Sequence, residues 1–160
     1  QLVMGDALAV CLMEMRDFKA EDFARFHPGG ALGKKLLLRV KDMLINSLKP
    51  MVSPETAIKK VIFEISEKRL GVTAVIENNK VIGIITDGDL RRMLEKSVAI
   101  DTIKAGDIMT TNPKTIGPDE LAVDALDVLR RNEISQLAVI EHNKYLGIIH
   151  LHDLIREGLI

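Results

Sequence analysis

Tryptophan is missing from this 160-residue chain, and only one tyrosine stands beside four phenylalanines. Single-stranded nucleic acids are held largely on aromatic stacking platforms, so this scarcity argues against them as partners. A surplus of one charge is missing too. The chain has 22 basic and 23 acidic residues and a formal net charge of -1, with no basic stripe for a phosphate backbone to follow. A single cysteine, Cys11, rules out an internal disulfide and fits a reducing compartment. No apolar run approaches the roughly 20 residues of a membrane span, and no signal-peptide pattern is visible. Gln1 is not a natural start, so an upstream N-terminus is expected; with no span or signal visible, a cytoplasmic protein is the default expectation. No metal site and no required cofactor are expected.

What is present is a repeat. Ala74 to Leu90 reads Ala-Val-Ile-Glu-Asn-Asn-Lys-Val-Ile-Gly-Ile-Ile-Thr-Asp-Gly-Asp-Leu. Ala138 to Leu154 repeats it 64 residues later with eleven of seventeen positions identical. A period near 64 is too long for a solenoid unit and fits two copies of one small α/β module. A domain of about 60 residues is marginal alone, so two copies packed together bury what neither buries singly. With few aromatics, the core must come from Val, Ile, Leu, Ala and Met.

Residues 2 to 16 read as an apolar core helix with small residues at Gly5, Ala7 and Ala9. Phe18 to Phe26 predicts a short helix with acidic residues in its first turn, where the helix dipole favours them. It stops at His27-Pro28, because a residue before proline is pushed out of the helical region. His27 to Lys34 is then a tight glycine-rich loop holding one histidine. That histidine either caps the preceding helix or serves chemistry.

Lys41-Asp42-Met43-Leu44 is echoed by Gly106-Asp107-Ile108-Met109. Ser53-Pro54 and Gly117-Pro118 each predict a proline-led helix start. The apolar stripes Ile58, Val61, Ile62, Ile65 and Ala122, Ala125, Leu126, Leu129 follow at i, i+3, i+4, i+7, with helix ends expected near Arg69 and Asn132. Val72–Ile76 and Val81–Ile85 read as strands around an Asn-rich turn. Their near-continuous apolar character implies cover on both faces. A helix carrying Leu90, Met93 and Leu94, or Leu154, Ile155 and Leu159, closes each unit, and Lys96–Thr102 reads as a linker. Each unit is β-α-β-β-α, an α/β (α+β) class.

The junction Thr86-x-x-Asp89 admits two readings. It is a capping box, or the helix start offers donors to an anion, with Thr86 on phosphate and Asp89 on a ribose diol. In the second copy His150 replaces Thr86 while Asp153 matches Asp89. His150 either contacts a phosphate, closes the site, or fills space.

The duplicated unit, with Gly-Ile-Ile-Thr-Asp-Gly-Asp-Leu at its junction, resembles the cystathionine-β-synthase-type (CBS) domain family over roughly residues 40 to 160. The resemblance implies a tandem pair with pseudo-twofold symmetry and nucleotide-binding clefts between the copies. It carries phosphate and ribose contacts to Thr86 and Asp89 and, in the modified copy, to His150 and Asp153. Base contacts fall at Gly71, Val72 and Thr73, and at Ser135 to Leu137. The first 40 residues, ending in His27-Pro28-Gly29-Gly30-Ala31-Leu32-Gly33, resemble the end of a sugar isomerase (SIS) domain.

Together the two parts resemble the bacterial D-arabinose-5-phosphate isomerase family, which interconverts ribulose 5-phosphate and arabinose 5-phosphate for Kdo, lipopolysaccharide or capsule synthesis. The resemblance implies a remnant SIS segment at 1–39, CBS domains at 40–98 and 103–160, and an acid–base role for His27. It implies a nucleotide or CMP-sugar ligand. The implied partners are the protein's own SIS domain, homodimers of CBS pairs and a tetrameric parent, with no nucleic acid or membrane. The 34–50 connection would carry the signal. The fragment alone is expected to be inactive.

Overall fold

The structure, a computed structural model, describes residues 2–44, 48–96 and 100–159. The chain begins with helices α1 (Leu2–Met15), α2 (Ala20–Phe26), α3 (Ala31–Leu37) and α4 (Val40–Met43). The first copy follows as β1 (Met51–Val52), α5 (Ile58–Lys68), β2 (Val72–Glu77), β3 (Lys80–Thr86) and α6 (Asp87–Glu95). The second is led by α7 (Ala105–Ile108) and β4 (Thr110–Thr111). It continues as β5 (Thr115–Ile116), α8 (Ala122–Arg131), β6 (Gln136–Glu141), β7 (Lys144–His150) and α9 (Leu151–Arg156). The β-α-β-β-α unit expected from the repeat is therefore present twice. The linker expected at Lys96–Thr102 and a domain boundary at residue 98 fall partly outside the described residues.

The sheets are β1-β2-β3-β4 and β5-β6-β7. Each hairpin turns through two residues with positive φ, Asn78 and Asn79 in one copy, His142 and Asn143 in the other. Positive φ at both central positions suits the right-handed strand twist, and Asn tolerates it. One face of the β2-β3 hairpin packs on helices, where Val75 and Ile85 join Ile58, Val61 and Ile65. The other face, Val72 and Ala74, meets Ala138, Tyr145 and Ile148 of the second copy. The copies thus join sheet to sheet, which is why these strands are apolar on both sides.

The leading helices are exchanged between copies. Val40, fully buried, packs in the second copy's core with Leu126, Leu129 and Leu137. Val40 N–H donates to Glu120 O and Ala122 N–H to Leu38 O. Reciprocally, Ile103 and Ala105 pack in the first copy's core, with Ile58 N–H donating to Ile103 O and Ala105 N–H to Thr56 O. Strand β4 pairs with β3 at Gly83 and Ile84.

Four expectations change. The helices begin at Ile58 and Ala122, each four residues after its proline; Ser53 instead closes a turn, its carbonyl accepting from Thr56 N–H. The residues between are needed for backbone pairing with the exchanged segments, at Ala57 with Lys104 and Leu121 with Arg39. Helix α1 forms but is no core helix within this chain. None of its residues is buried, and Leu2 and Met15 are more than four-fifths exposed. Leu94 and Ile155 also face outward, whereas Leu90, Met93, Leu154 and Leu159 are buried.

Candidate functional site

At the end of β3, Thr86 has extended backbone and caps α6. Asp89 turns back on it. The Asp89 Oδ2 accepts from Thr86 N–H at 2.8 Å and from the Thr86 hydroxyl at 2.7 Å, and Asp89 N–H donates to Thr86 Oγ1 at 3.3 Å. The other carboxylate oxygen accepts from Arg92 and, at 3.2 Å, from the Thr110 hydroxyl of β4. Burial alone would raise the Asp89 pKa. The hydrogen bonds from Thr86 and the Arg92 guanidinium outweigh it and hold the carboxyl below its usual range. Both oxygens are thus engaged within the protein, and the capping box is present.

The second junction is built differently. Asp153 accepts from His150 N–H at 3.0 Å, while His150 Nδ1 accepts from His152 N–H at 3.0 Å. An imidazole that accepts at Nδ1 carries its proton on Nε2 when neutral. The two histidine rings meet edge to face, 4.9 Å between centroids. Burial first, and the neighbouring His152 second, lower the His150 pKa, with Asp153 acting the other way.

Each strand start is tied to its own junction. Asp87 N–H donates to Gly71 O at 3.1 Å, and Leu151 N–H to Ser135 O at 2.8 Å. Gly71 has φ +64, a conformation that side chains resist. Two clefts open between the copies there. One, of about 390 Å3, brings Thr86, Gly88 and Arg92 of the first copy against Glu133, Ser135 and Gln136 of the second. The other, of about 350 Å3, brings Arg69 and Gly71 of the first copy against His150, His152, Asp153 and Arg156 of the second. A shift of 64 residues carries Thr86 to His150, Arg92 to Arg156, Arg69 to Glu133 and Gly71 to Ser135, so the clefts are counterparts. Their charges differ. The Thr86 cleft sets Arg92 against Asp87 and Glu133. The His150 cleft sets Arg69, Arg156 and two histidines against Asp87 and Asp153.

The predicted residues are only partly brought together. Gly71, Thr86 and Ser135 share one cleft; Gly71, His150 and Asp153 share the other. Each junction therefore faces the strand start of the opposite copy, in addition to its own. Val72, Thr73 and Leu137 do not reach either cleft, since their side chains are fully buried in the strand interior. Asp89 lines a separate cleft of about 310 Å3 with Met93, Ile103 and Met109. His27 lines neither junction cleft. It caps α2 through its N–H to Phe23 O, is exposed, and stacks on Phe23 with centroids 4.6 Å apart.

Sequence reasoning passed over Arg69, Arg92, His152 and Arg156, while Gln136 falls within the predicted Ser135 to Leu137 range. The signal for two of them was present: arginine stands six residues after both Thr86 and His150. Among the described residues, no group of His, Cys, Asp and Glu could hold a metal ion. No helix there is long and apolar enough to cross a membrane.

The CBS domain family model matches residues 40–96 and 105–159. Arabinose 5-phosphate isomerase KdsD of Yersinia pestis is 43% identical over 161 residues, covering 99% of this chain and 49% of that protein. The Francisella tularensis protein of the same name is 45% identical over 160 residues, with the same coverage. The chain thus spans about half the length of these relatives. Among solved structures, the CBS domain NE2398 superposes with a TM-score of 0.70 at 18% identity, covering 76% of this chain and 98% of that one. A CBS domain protein of Pyrobaculum aerophilum complexed with AMP gives 0.67 at 20% identity, covering 76% and 98%. At those identities the likeness is one of fold.

Proposed function

The chain belongs to the CBS domain family, and from that premise we propose that its tandem pair is the regulatory, nucleotide- or nucleotide-sugar-binding part of an arabinose 5-phosphate isomerase. The observation that carries the reading is the pair of counterpart clefts, each formed by a strand start of one copy and a helix start with its arginine from the other. AMP bound to a neighbour of the same fold supports the ligand class. The names of the relatives support the parent reaction, in which ribulose 5-phosphate and arabinose 5-phosphate interconvert.

Residues 1–39 are then a piece of the SIS domain, with CBS domains at 40–98 and 103–160. Aldose–ketose isomerisation moves a proton between adjacent carbons and needs an acid–base group near neutrality. His27 is assigned that role in the whole enzyme, not in this segment. The ligand's phosphate is assigned to the arginines. Arg156, Arg69 and the Nε2–H of His150 serve one cleft, and Arg92 serves the other. Thr86 and Asp89 hold the helix start that presents Arg92. A cytidine nucleotide-sugar suits feedback from Kdo synthesis; AMP is the alternative ligand.

Calorimetry of the chain with AMP, CMP and a CMP-sugar tests this. Binding of one of them, weakened about tenfold by Arg156→Ala or Arg92→Ala, is the expected result. No binding by any of them overturns ligand sensing. A second reading, a structural oligomerisation module, draws on the exposed apolar surface of α1, none of whose residues is buried. Under that reading, deletion of the pair changes assembly of the parent and leaves its response to nucleotides untouched.

A further inference from the structure

The hairpin tips lie at the other end of the strands from Thr86 and His150, roughly 20 Å away at 3.3 Å per residue. Between the two tips is a cleft of about 570 Å3, larger than either junction cleft. Its apolar lining is Met51, Ile76 and Tyr145. The Tyr145 hydroxyl donates to Pro50 O at 3.0 Å, so the ring is held rigidly and offers the cleft carbon rather than its polar end.

The rim is cationic. Lys49, Lys80 and Lys144 line the cleft together with His142, and no carboxylate does. None of the three lysines forms an ion pair among the described residues. Nearby acids stand outside the lining. Glu64 accepts from Met51 N–H at 3.4 Å and acts on Tyr145, while Glu77 and Glu141 sit opposite Lys80 and Lys144 in register and are exposed. Three ammonium groups line the cleft and no carboxylate enters the lining, which suits a phosphate dianion, for which lysine is a common point-charge partner. Asn78, Asn79 and Asn143 add amide donors.

We propose that this cleft is a third ligand site, distinct from the two junction clefts, and that it takes a small phosphate monoester carrying a flat apolar ring. The ring lies on Met51, Ile76 and Tyr145, and the phosphate lies among the lysines. The site arises only from the duplication, because each copy supplies one lysine-bearing tip.

Phenyl phosphate is the probe, with phenol and inorganic phosphate as controls. The chain has one tyrosine and no tryptophan, so tyrosine ring resonances report Tyr145 alone. Titration followed by NMR is expected to shift that ring and the amides of Asn78, Asn79, His142 and Asn143 saturably, with both controls binding more weakly. Added salt weakens the binding. Joint Lys80→Gln and Lys144→Gln weakens it roughly three- to tenfold, with an unchanged circular dichroism spectrum. The proposal is overturned by shifts centred on Gly71 and Gln136, by equal affinity in the folded double variant, by binding indifferent to salt, or by no shift at millimolar probe.

Discussion

Asp89 and His150 occupy repeat-related neighbourhoods, and both make stability fall as pH drops, Asp89 in the carboxylate range and His150 in the imidazole range. Asp89 is 7% exposed and accepts from Thr86, Arg92 and Thr110. Its folded pKa lies below the usual value. Its stabilisation is therefore present above about pH 4 and is lost as pH falls through the lower folded value. Asp89→Asn should destabilise the chain by about 1–3 kcal/mol at neutral pH, because donors now bonded to a charge lose it. Urea unfolding checks this, and the acid limb of the stability profile should flatten in the variant.

His150 needs its neutral form, since a protonated Nδ1 no longer accepts from His152 N–H. Its folded pKa is also lowered, so unfolding takes up a proton near and below about pH 6.5, and stability falls as pH drops through the folded value. His150→Thr recreates the hydroxyl cap of the first copy. Urea midpoints at about pH 7.5 and pH 5.5 should converge in that variant, apart from the carboxylate contribution both proteins share.

Helices α4 and α7 each have four residues, too few to persist alone. They exist because their apolar sides fill the other copy's core and their first turns are capped: Asp42 accepts from Arg39 N–H at 2.9 Å and Asp107 from Lys104 N–H at 2.8 Å. Val40→Ala removes two methyl groups from a fully buried position and should cost about 1–3 kcal/mol. Hydrogen exchange checks where the cost appears. Protection should fall in α8 and β6 of the second copy before it falls in α5 and β2. Gly33 in α3 serves an element-scale purpose too, since a Cβ there would stand 2.2 Å from His27 O. That close approach lets α3 pack against the end of α2, and it explains the glycine in the His27 loop without appeal to chemistry.

For the molecule as a whole, exchange makes the copies interdependent. The first copy's core needs Ile103 and Ala105 from the segment leading the second. The second copy's core needs Val40, with Leu38 beside it. Burying Val40 or Ile103 contributes about 1.5–3 kcal/mol each, against a net stability of only about 5–15 kcal/mol for a small domain. Fragments 38–96 and 100–160 should therefore fail to melt cooperatively when separate and regain a cooperative transition when mixed. Circular dichroism against temperature decides it; an independent cooperative transition in either fragment would show the exchange to be dispensable.

The sequence by itself determined the repeat, the β-α-β-β-α order, the Asn-rich turns, the apolar stripes of α5 and α8, and the two junctions at Thr86 and His150. Those features follow from local rules: period, turn chemistry and capping act over a few residues. Only the tertiary structure decided which residues meet. It placed Val40 and Ala105 in opposite cores, started α5 and α8 after the prolines because Ala57 and Leu121 pair with exchanged segments, and buried Thr73 and Leu137 away from the clefts. It also turned Asp89 inward and set Arg69 beside His150. Contacts between residues far apart in sequence depend on how two sheets stack, and no local period encodes that.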